Sequence, residues 1–192
     1  MMCSQTARES FGKSAIEGLA NSISWQFSVP SIKDGLQVNR LIAESPPLDT
    51  NSAYCNFLQT THFQDTSIVA YFQGELAGFI SGYLKPNDPK TLFIWQVAVA
   101  SKYRGQGLAK TMLSELRARN CLRDITAIET TITKDNNSSW ALFKTLERES
   151  EQESLVSVFL DKELDFKGLH DTEYLYRLPL TPHNETKKLE TE

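Results

Sequence analysis

At 192 residues, with 40% hydrophobic and 10% aromatic side chains, the chain carries enough apolar material for one well-filled core, and a single domain is expected. Its 20 Lys and Arg against 24 Asp and Glu leave a formal charge of -4, so there is no dense basic stripe to neutralise nucleic-acid phosphates. No segment approaches the ~20 apolar residues of a membrane span, and the first residues lack the apolar run of a signal peptide. Cys3, Cys55 and Cys121 show no CxxC pairing and fit a reducing compartment, so a cytoplasmic protein without membrane or nucleic-acid partners is expected.

Residues 1–23 mix Ser, Ala, Gly and charge without a period and read as a flexible extension ahead of a domain at 24–180. Residues 25–29 alternate like a half-buried strand, which Pro30 ends. Ser31, three residues before Asp34, has capping-box spacing and opens a helix with Ile32, Leu36, Leu41 and Ile42 at helical intervals, stopped by Ser45-Pro46-Pro47. Either Asp49 or Thr50 then caps a second helix carrying Tyr54, Phe57 and Leu58. Residues 66–72 and 76–84 form a hairpin turned at Gln73-Gly74. Within its second strand, Gly78 and Gly82 indicate either a bulge or close packing, or a ligand passing near the backbone.

After a loop at Pro86-Asn87-Asp88-Pro89, residues 92–99 set Phe93, Trp95, Val97 and Val99 against Leu92, Ile94 and Ala98. That is the pattern of a strand covered on both faces. The glycine-punctuated run Arg104-Gly105-Gln106-Gly107-Leu108-Ala109 then feeds a helix with Leu108, Met112, Leu113 and Leu116 on one face. Such a junction leaves backbone N–H groups free at the helix start with the positive end of the dipole behind them, a place for a phosphate or pyrophosphate. The dinucleotide fingerprint lacks its third glycine here, and no Gly-Lys-Ser/Thr marks a P-loop. Residues 125–133 form a β-branched strand, parallel to the previous one if the crossover is right-handed. Asp135-Asn136-Asn137-Ser138 caps a helix whose buried face holds Trp140, Phe143 and Leu146. Residues 154–160 and 174–178 are the last strands, joined by a polar loop with Gly168 and His170, and residues 181–192 read as a disordered tail.

The run from Arg104 to Ala109, following Val97-Ala98-Val99, resembles the acetyl-CoA-binding motif of the GNAT-type N-acetyltransferases. Asn136-x-x-Ser139-x-x-Leu142-Phe143 resembles that superfamily's second cofactor segment, and the order of elements agrees with its β-α-α-β-β-β-α-β-α-β-β plan. The resemblance implies an α/β fold of GNAT type: a central twisted mixed sheet of about six to seven strands, four flanking helices and a splayed parallel strand pair. It also implies acetyl-CoA as co-substrate. Its pantetheine would lie along the backbone of Val97, Ala98 and Val99, and its pyrophosphate on the N–H groups of Arg104, Gly105, Gln106, Gly107, Leu108 and Ala109. Asn136, Ser139, Trp140 and Phe143 would form the opposite wall, where helix cap and core are the alternative readings. Two departures stand out: Glu147-Arg148 replaces the common Gly-Phe, and Phe143 stands where many members carry a tyrosine that protonates the departing thiolate.

Residues 45–63, 78–86, 92–109 and 133–143 resemble, more narrowly, the diaminobutyrate acetyltransferases of ectoine biosynthesis. The implied reaction is direct transfer of acetyl to the N4 amine of L-2,4-diaminobutyrate within a ternary complex, and a homodimer is expected. An alkyl amine with a pKa of ~10.4 must lose a proton before attack, and carboxylates that attract it oppose that loss. Asp49, Asn51 and Tyr54 are candidates for the acceptor pocket, with helix capping the alternative for Asp49. Trp95 and Gln96 lie beside the expected thioester, Glu129 offers a carboxylate to an ammonium or a proton relay, and His170 is the histidine expected over the pocket mouth. Trp95, Glu129 and His170 are the catalytic candidates. No HExxH or paired His/Cys spacing supports a metal, and Cys55 and Cys121 read as buried small hydrophobes. Another amine acceptor, or a non-catalytic acetyl-CoA-binding role, remains the alternative.

Overall fold

The computed structural model describes residues 25–181; the expected extension and, apart from residue 181, the expected tail lie outside the described residues. Ser31 and Asp34 close the expected capping box, and a single 3-10 turn leads into α1 (Gly35–Ala43). The buried face of α1 is Val38, Leu41 and Ile42, whereas Ile32 and Leu36, assigned to it from spacing, are exposed. Helix α2 (Ala53–Thr61) is capped by Ser52, whose hydroxyl accepts from the Cys55 N–H at 3.2 Å, and not by Asp49 or Thr50. Its inner face is polar, made of Asn56, Gln59 and Thr60, and Tyr54 is exposed.

Strand β1 (Gln26–Ser28) pairs with β2 (Ile68–Phe72), and the Gln73-Gly74 turn joins β2 to β3 (Glu75–Lys85). Strand β4 (Asp88–Val99) begins earlier than expected, so the supposed four-residue loop is a two-residue turn at Pro86-Asn87. Helix α3 (Leu108–Arg117) buries Leu108, Met112, Leu113 and Leu116, the face its spacing predicts, and crosses to β5 (Ala127–Thr133), parallel to β4. Helix α4 (Asn137–Ser150), β6 (Leu155–Leu160) and β7 (Glu173–Pro179) complete one seven-stranded sheet in the order β1-β2-β3-β4-β5-β7-β6. Where the family commonly has Gly-Phe, the Glu147 carboxylate accepts from the Ser154 N–H and hydroxyl, both at 2.8 Å, and ties α4 to the start of β6.

Two features of β4 decide the architecture of the site. The parallel pairing with β5 runs only from Thr91↔Ala127 to Ile94↔Thr130, although β4 continues along β3 to Val99 and β5 continues along β7 to Thr133. The sheet is therefore split, and beyond Ile94 the β4 backbone has no strand partner on the β5 side. The second feature is a bulge: Ser81 pairs with Gln96 and Gly82 with Ile94, skipping Trp95. Ile94 packs in the core beneath α3 and α4, while Ala98 packs on the other side against Val38, Leu41 and Ile42. The expectation of a strand covered on both faces fails at this point, since Trp95 is 42% exposed. Cys121 is likewise exposed and Cys55 half-buried, not the buried hydrophobes expected.

Gly82 sits at this bulge with no room for a side chain, which answers the question its sequence position raised. A Cβ there would lie 2.8 Å from the Phe93 carbonyl oxygen and 3.0 Å from that of Thr66, both backbone atoms that cannot swing aside. Gly82→Ala is therefore expected to destabilise the fold by about 1–3 kcal/mol, read as a lowered midpoint in thermal or urea unfolding.

Candidate active site

Helix α3 starts at Gly107, where φ is 77°, and no side chain caps it, although Ser52 caps α2 and Asn136 caps α4. The donors of its first turn are thus left to another acceptor, with the helix dipole behind them. Gly105 also has a left-handed backbone, at φ 74°. A Cβ at either glycine would meet nothing within 4 Å, so the backbone here is bare. Both glycines line a cavity of about 420 Å³ that runs from this helix start into the split of the sheet, where Val97 and Val99 form its floor. Arg104 and Lys110 are the cations on its rim; the Arg104 Nε donates to the Val99 carbonyl at 2.9 Å, and Lys110 is ion-paired with Glu149. An uncapped helix start, a bare glycine backbone and an unpaired strand edge fit the pyrophosphate and the amide-bearing arm of acetyl-CoA.

The far wall differs from the expected one. Ser138, Ala141, Leu142 and Thr145 of α4 line the cavity together with Asn136 and Ser139. Those helical positions recur at intervals of three and four, which places Phe143 and Leu146 on the opposite, core-facing side. Phe143 is 1% exposed with its ring 5.7 Å from that of Tyr176. The Trp140 indole donates to the Thr133 carbonyl at 3.1 Å and does not line the cavity. Ala98 faces α1 because of the bulge, and the Gln106 amide donates to the Lys102 carbonyl at 3.1 Å, bracing the loop from outside. A third wall was not foreseen: Ser45, Pro46, Pro47 and Leu48, read from sequence only as a helix stop.

Beyond the bulge, on the α1 and α2 side of the sheet, lie the residues expected to receive the acceptor. The Gln96 side chain is fully engaged: its Oε1 accepts from the Asn51 amide at 2.6 Å and its Nε2 donates to the Asp49 carbonyl at 2.9 Å. The Asp49 carboxylate is near Glu173, the first residue of β7, which no sequence motif marks. Burial pushes the Glu173 carboxyl above its ordinary range; a contact with Thr131 opposes this, the Asp49 charge adds to it, and His170 opposes it. Asp49 and His170 are therefore each within electrostatic reach of Glu173. His170 itself is exposed, its ring 5.1 Å from that of Phe166, and Tyr54 stands outward at the start of α2.

Glu129 does not present the open carboxylate expected of it. It is 2% exposed, pairs across the sheet with Arg177, and its two oxygens are taken by Arg177 and by Lys85, the latter at 2.6 Å. A buried carboxylate needs such partners, and the two strands flanking it supply them. Among the described residues no group of three or more His, Cys, Asp and Glu is placed to hold a metal ion, and no helix is long and apolar enough to cross a membrane.

Residues 36–147 match the model described as the acetyltransferase (GNAT) family. The chain is 56% identical over 156 residues to the L-2,4-diaminobutyric acid acetyltransferase of Vibrio parahaemolyticus, covering 81% of this chain and 86% of that one. It is 53% identical over 163 residues to the enzyme of the same description from Vibrio cholerae, covering 85% and 94%. Among solved structures it is similar to the diaminobutyrate acetyltransferase from Paenibacillus lautus in complex with its substrate L-2,4-diaminobutyric acid and coenzyme A. That similarity is 37% in sequence with a TM-score of 0.78, over 82% of this chain and 95% of the other.

Proposed function

This chain belongs to the GNAT acetyltransferase family, and from that premise we propose that it transfers acetyl from acetyl-CoA to the N4 amine of L-2,4-diaminobutyrate in ectoine biosynthesis. The observation that carries this reading is the carboxylate pair of Asp49 and Glu173 beyond the split end of the sheet, on the acceptor side of the bulge. Two acidic groups within electrostatic reach, Glu173 half-buried and Asp49 exposed, are complementary to a small acceptor that carries two ammonium groups. Trp95, exposed at the bulge with its ring centroid 6.4 Å from that of Tyr83, offers an apolar wall to the acceptor's short carbon chain. His170, in the loop before β7, is within electrostatic reach of Glu173.

The chemistry needs little beyond positioning. Acetyl-CoA, when bound, supplies an activated acyl group whose thiol, with a pKa of ~8.5, leaves readily. The amine must shed a proton, and the exposed rim at His170 and the carboxylates give water or the imidazole access to take it. Attack forms the N–C bond of the amide and breaks the thioester C–S bond, and unpaired β4 backbone N–H groups are the donors for the oxygen that becomes negative in between. With Phe143 turned into the core, no side chain at that position protonates the thiolate, which solvent can do instead.

A cytoplasmic role in the response to osmotic stress goes with this reading. So does a homodimer, which is supported by the edge strand β6: its Leu155, Val156, Val158 and Phe159 are exposed on both faces beside a free strand edge. Incubation with acetyl-CoA and diaminobutyrate is expected to release thiol and yield a product whose fragmentation spectrum places the acetyl group on N4. Release with another amine but not with diaminobutyrate would overturn the acceptor assignment, and acetylation at N2 would overturn its orientation.

A further inference from the structure

The segment that carries Asp49 has no backbone hydrogen bonds of its own. Asp49, Thr50 and Asn51 lie outside helix and strand, and none of the turn and loop backbone bonds involves them. What holds them is a chain of side-chain amides. The Asn39 amide, on α1, donates to the Asn51 carbonyl at 3.3 Å and to Asn56 Oδ1 at 2.8 Å; the Asn56 amide donates to Gln59 Oε1 at 2.8 Å. From the other side Gln96 donates to the Asp49 carbonyl and accepts from the Asn51 side chain.

Asn56 and Gln59 are fully buried, on the face of α2 where a helix of this length ordinarily places apolar residues. Apolar residues there would pack as well, but they would carry no orientation. Amides do, because the Asn39–Asn56–Gln59 donor-to-acceptor order fixes which way each faces, although the Gln59 Nε2 at the end of the chain is buried without a partner. The chain spans α1, α2, the loop and β4, and it ends one residue from Trp95 at the bulge.

We propose that Asn39, Asn56 and Gln59 are positioning residues: through Asn51 and Gln96 they hold the Asp49 loop at a set distance from the bulged end of β4. They thereby place the acceptor against the cofactor cavity. This inference rests on the reading of Asp49 as part of the acceptor site. None of the three residues lines that cavity, so their effect falls on one substrate only.

The test compares wild type with Asn56→Leu, which keeps the heavy-atom count and branching and removes the amide, and with Asn39→Asp, which keeps the shape at a half-buried position and removes both donors. The KM for diaminobutyrate is expected to rise about ten-fold in each, the loss of one good hydrogen bond, while the KM for acetyl-CoA stays within about two-fold. An unchanged acceptor KM, or a parallel rise in both constants, overturns the proposal. Crystal structures of the two variants give an answer independent of activity. Displacement of residues 49–51 with an unaltered cofactor cavity supports the network, and an undisturbed loop overturns it. If wild type does not acetylate diaminobutyrate, the functional reading fails while this second arm still decides the inference.

Discussion

Gly107→Val is expected to raise the KM for acetyl-CoA by about a hundred-fold or more while leaving the protein folded. The residue has φ 77°, a region in which a β-branched side chain is a genuine outlier. Left-handed backbone costs even an ordinary residue roughly 1–2 kcal/mol, and the chain escapes that cost by rotating to negative φ. Rotation re-aims the N–H groups of Leu108 and Ala109, which stand uncapped at the start of α3. Losing two charge-assisted hydrogen bonds, each worth about 1.5–3 kcal/mol, corresponds to a hundred-fold or greater loss of affinity. The helix stays docked because Leu108, Met112, Leu113 and Leu116 remain buried on the other side. Titration calorimetry with coenzyme A and steady-state KM values are the measurements, and an unaltered KM would place the pyrophosphate elsewhere. Gly107→Ala, with one carbon and no branch, should fall between the two.

Glu173→Gln should move activity and stability in opposite directions. Its kcat/KM for diaminobutyrate is expected to fall by about 10²–10³, the consequence of removing one partner from a desolvated charge pair, with the KM for acetyl-CoA unchanged. Stability follows from the raised pKa of this carboxyl, caused first by burial and helped by Asp49. A raised folded-state pKa means that the native state holds the proton more tightly than the unfolded chain does. The stabilisation from this group is therefore complete below the unfolded value, 4.5, and is lost as pH rises through the folded value. Near neutrality the ionised form is a burden that the acceptor's ammonium relieves, and the amide removes it permanently. The melting temperature of the variant relative to wild type should thus climb as pH is raised from 4 to 8. A variant that instead loses stability relative to wild type over that range would show that Glu173 serves a structural ion pair and is not available to a ligand. A site residue that weakens the empty protein is the usual cost of binding a charged substrate.

The features that the residues alone predict are local. The amphipathic spacing of α3, the Gln73-Gly74 turn and the Ser31–Asp34 capping box depend on neighbours within one or two turns of the same segment, and each formed as its residues predicted. Errors arose where a position's role is decided from elsewhere. For Phe143 and Trp140 the residues leave cofactor wall and buried helix face both open, and the docking of α4 against β5 and β7 turns them to the buried face. Asp49 was a reasonable helix cap by residue type; Ser52 took that place, which left Asp49 in a segment without backbone bonds. Glu129 carries no local mark of a partner, and its pairing opposite Arg177 and its contact with Lys85 both come from other strands.

The primary structure alone determined that residues 104–109 form a glycine-bearing junction with an uncapped helix start, because positive-φ glycine and free first-turn N–H groups are properties of a few consecutive residues. The tertiary structure decided what stands at the other end. A split between β4 and β5, a bulge that skips Trp95, and a fold that carries Glu173 from the last strand to Asp49 from the first inter-helix loop are all long-range events. Charges that distant in sequence have no local signature. Only the sheet brings them within Coulombic reach, where the exposed Asp49 adds to the cost of ionising the half-buried Glu173.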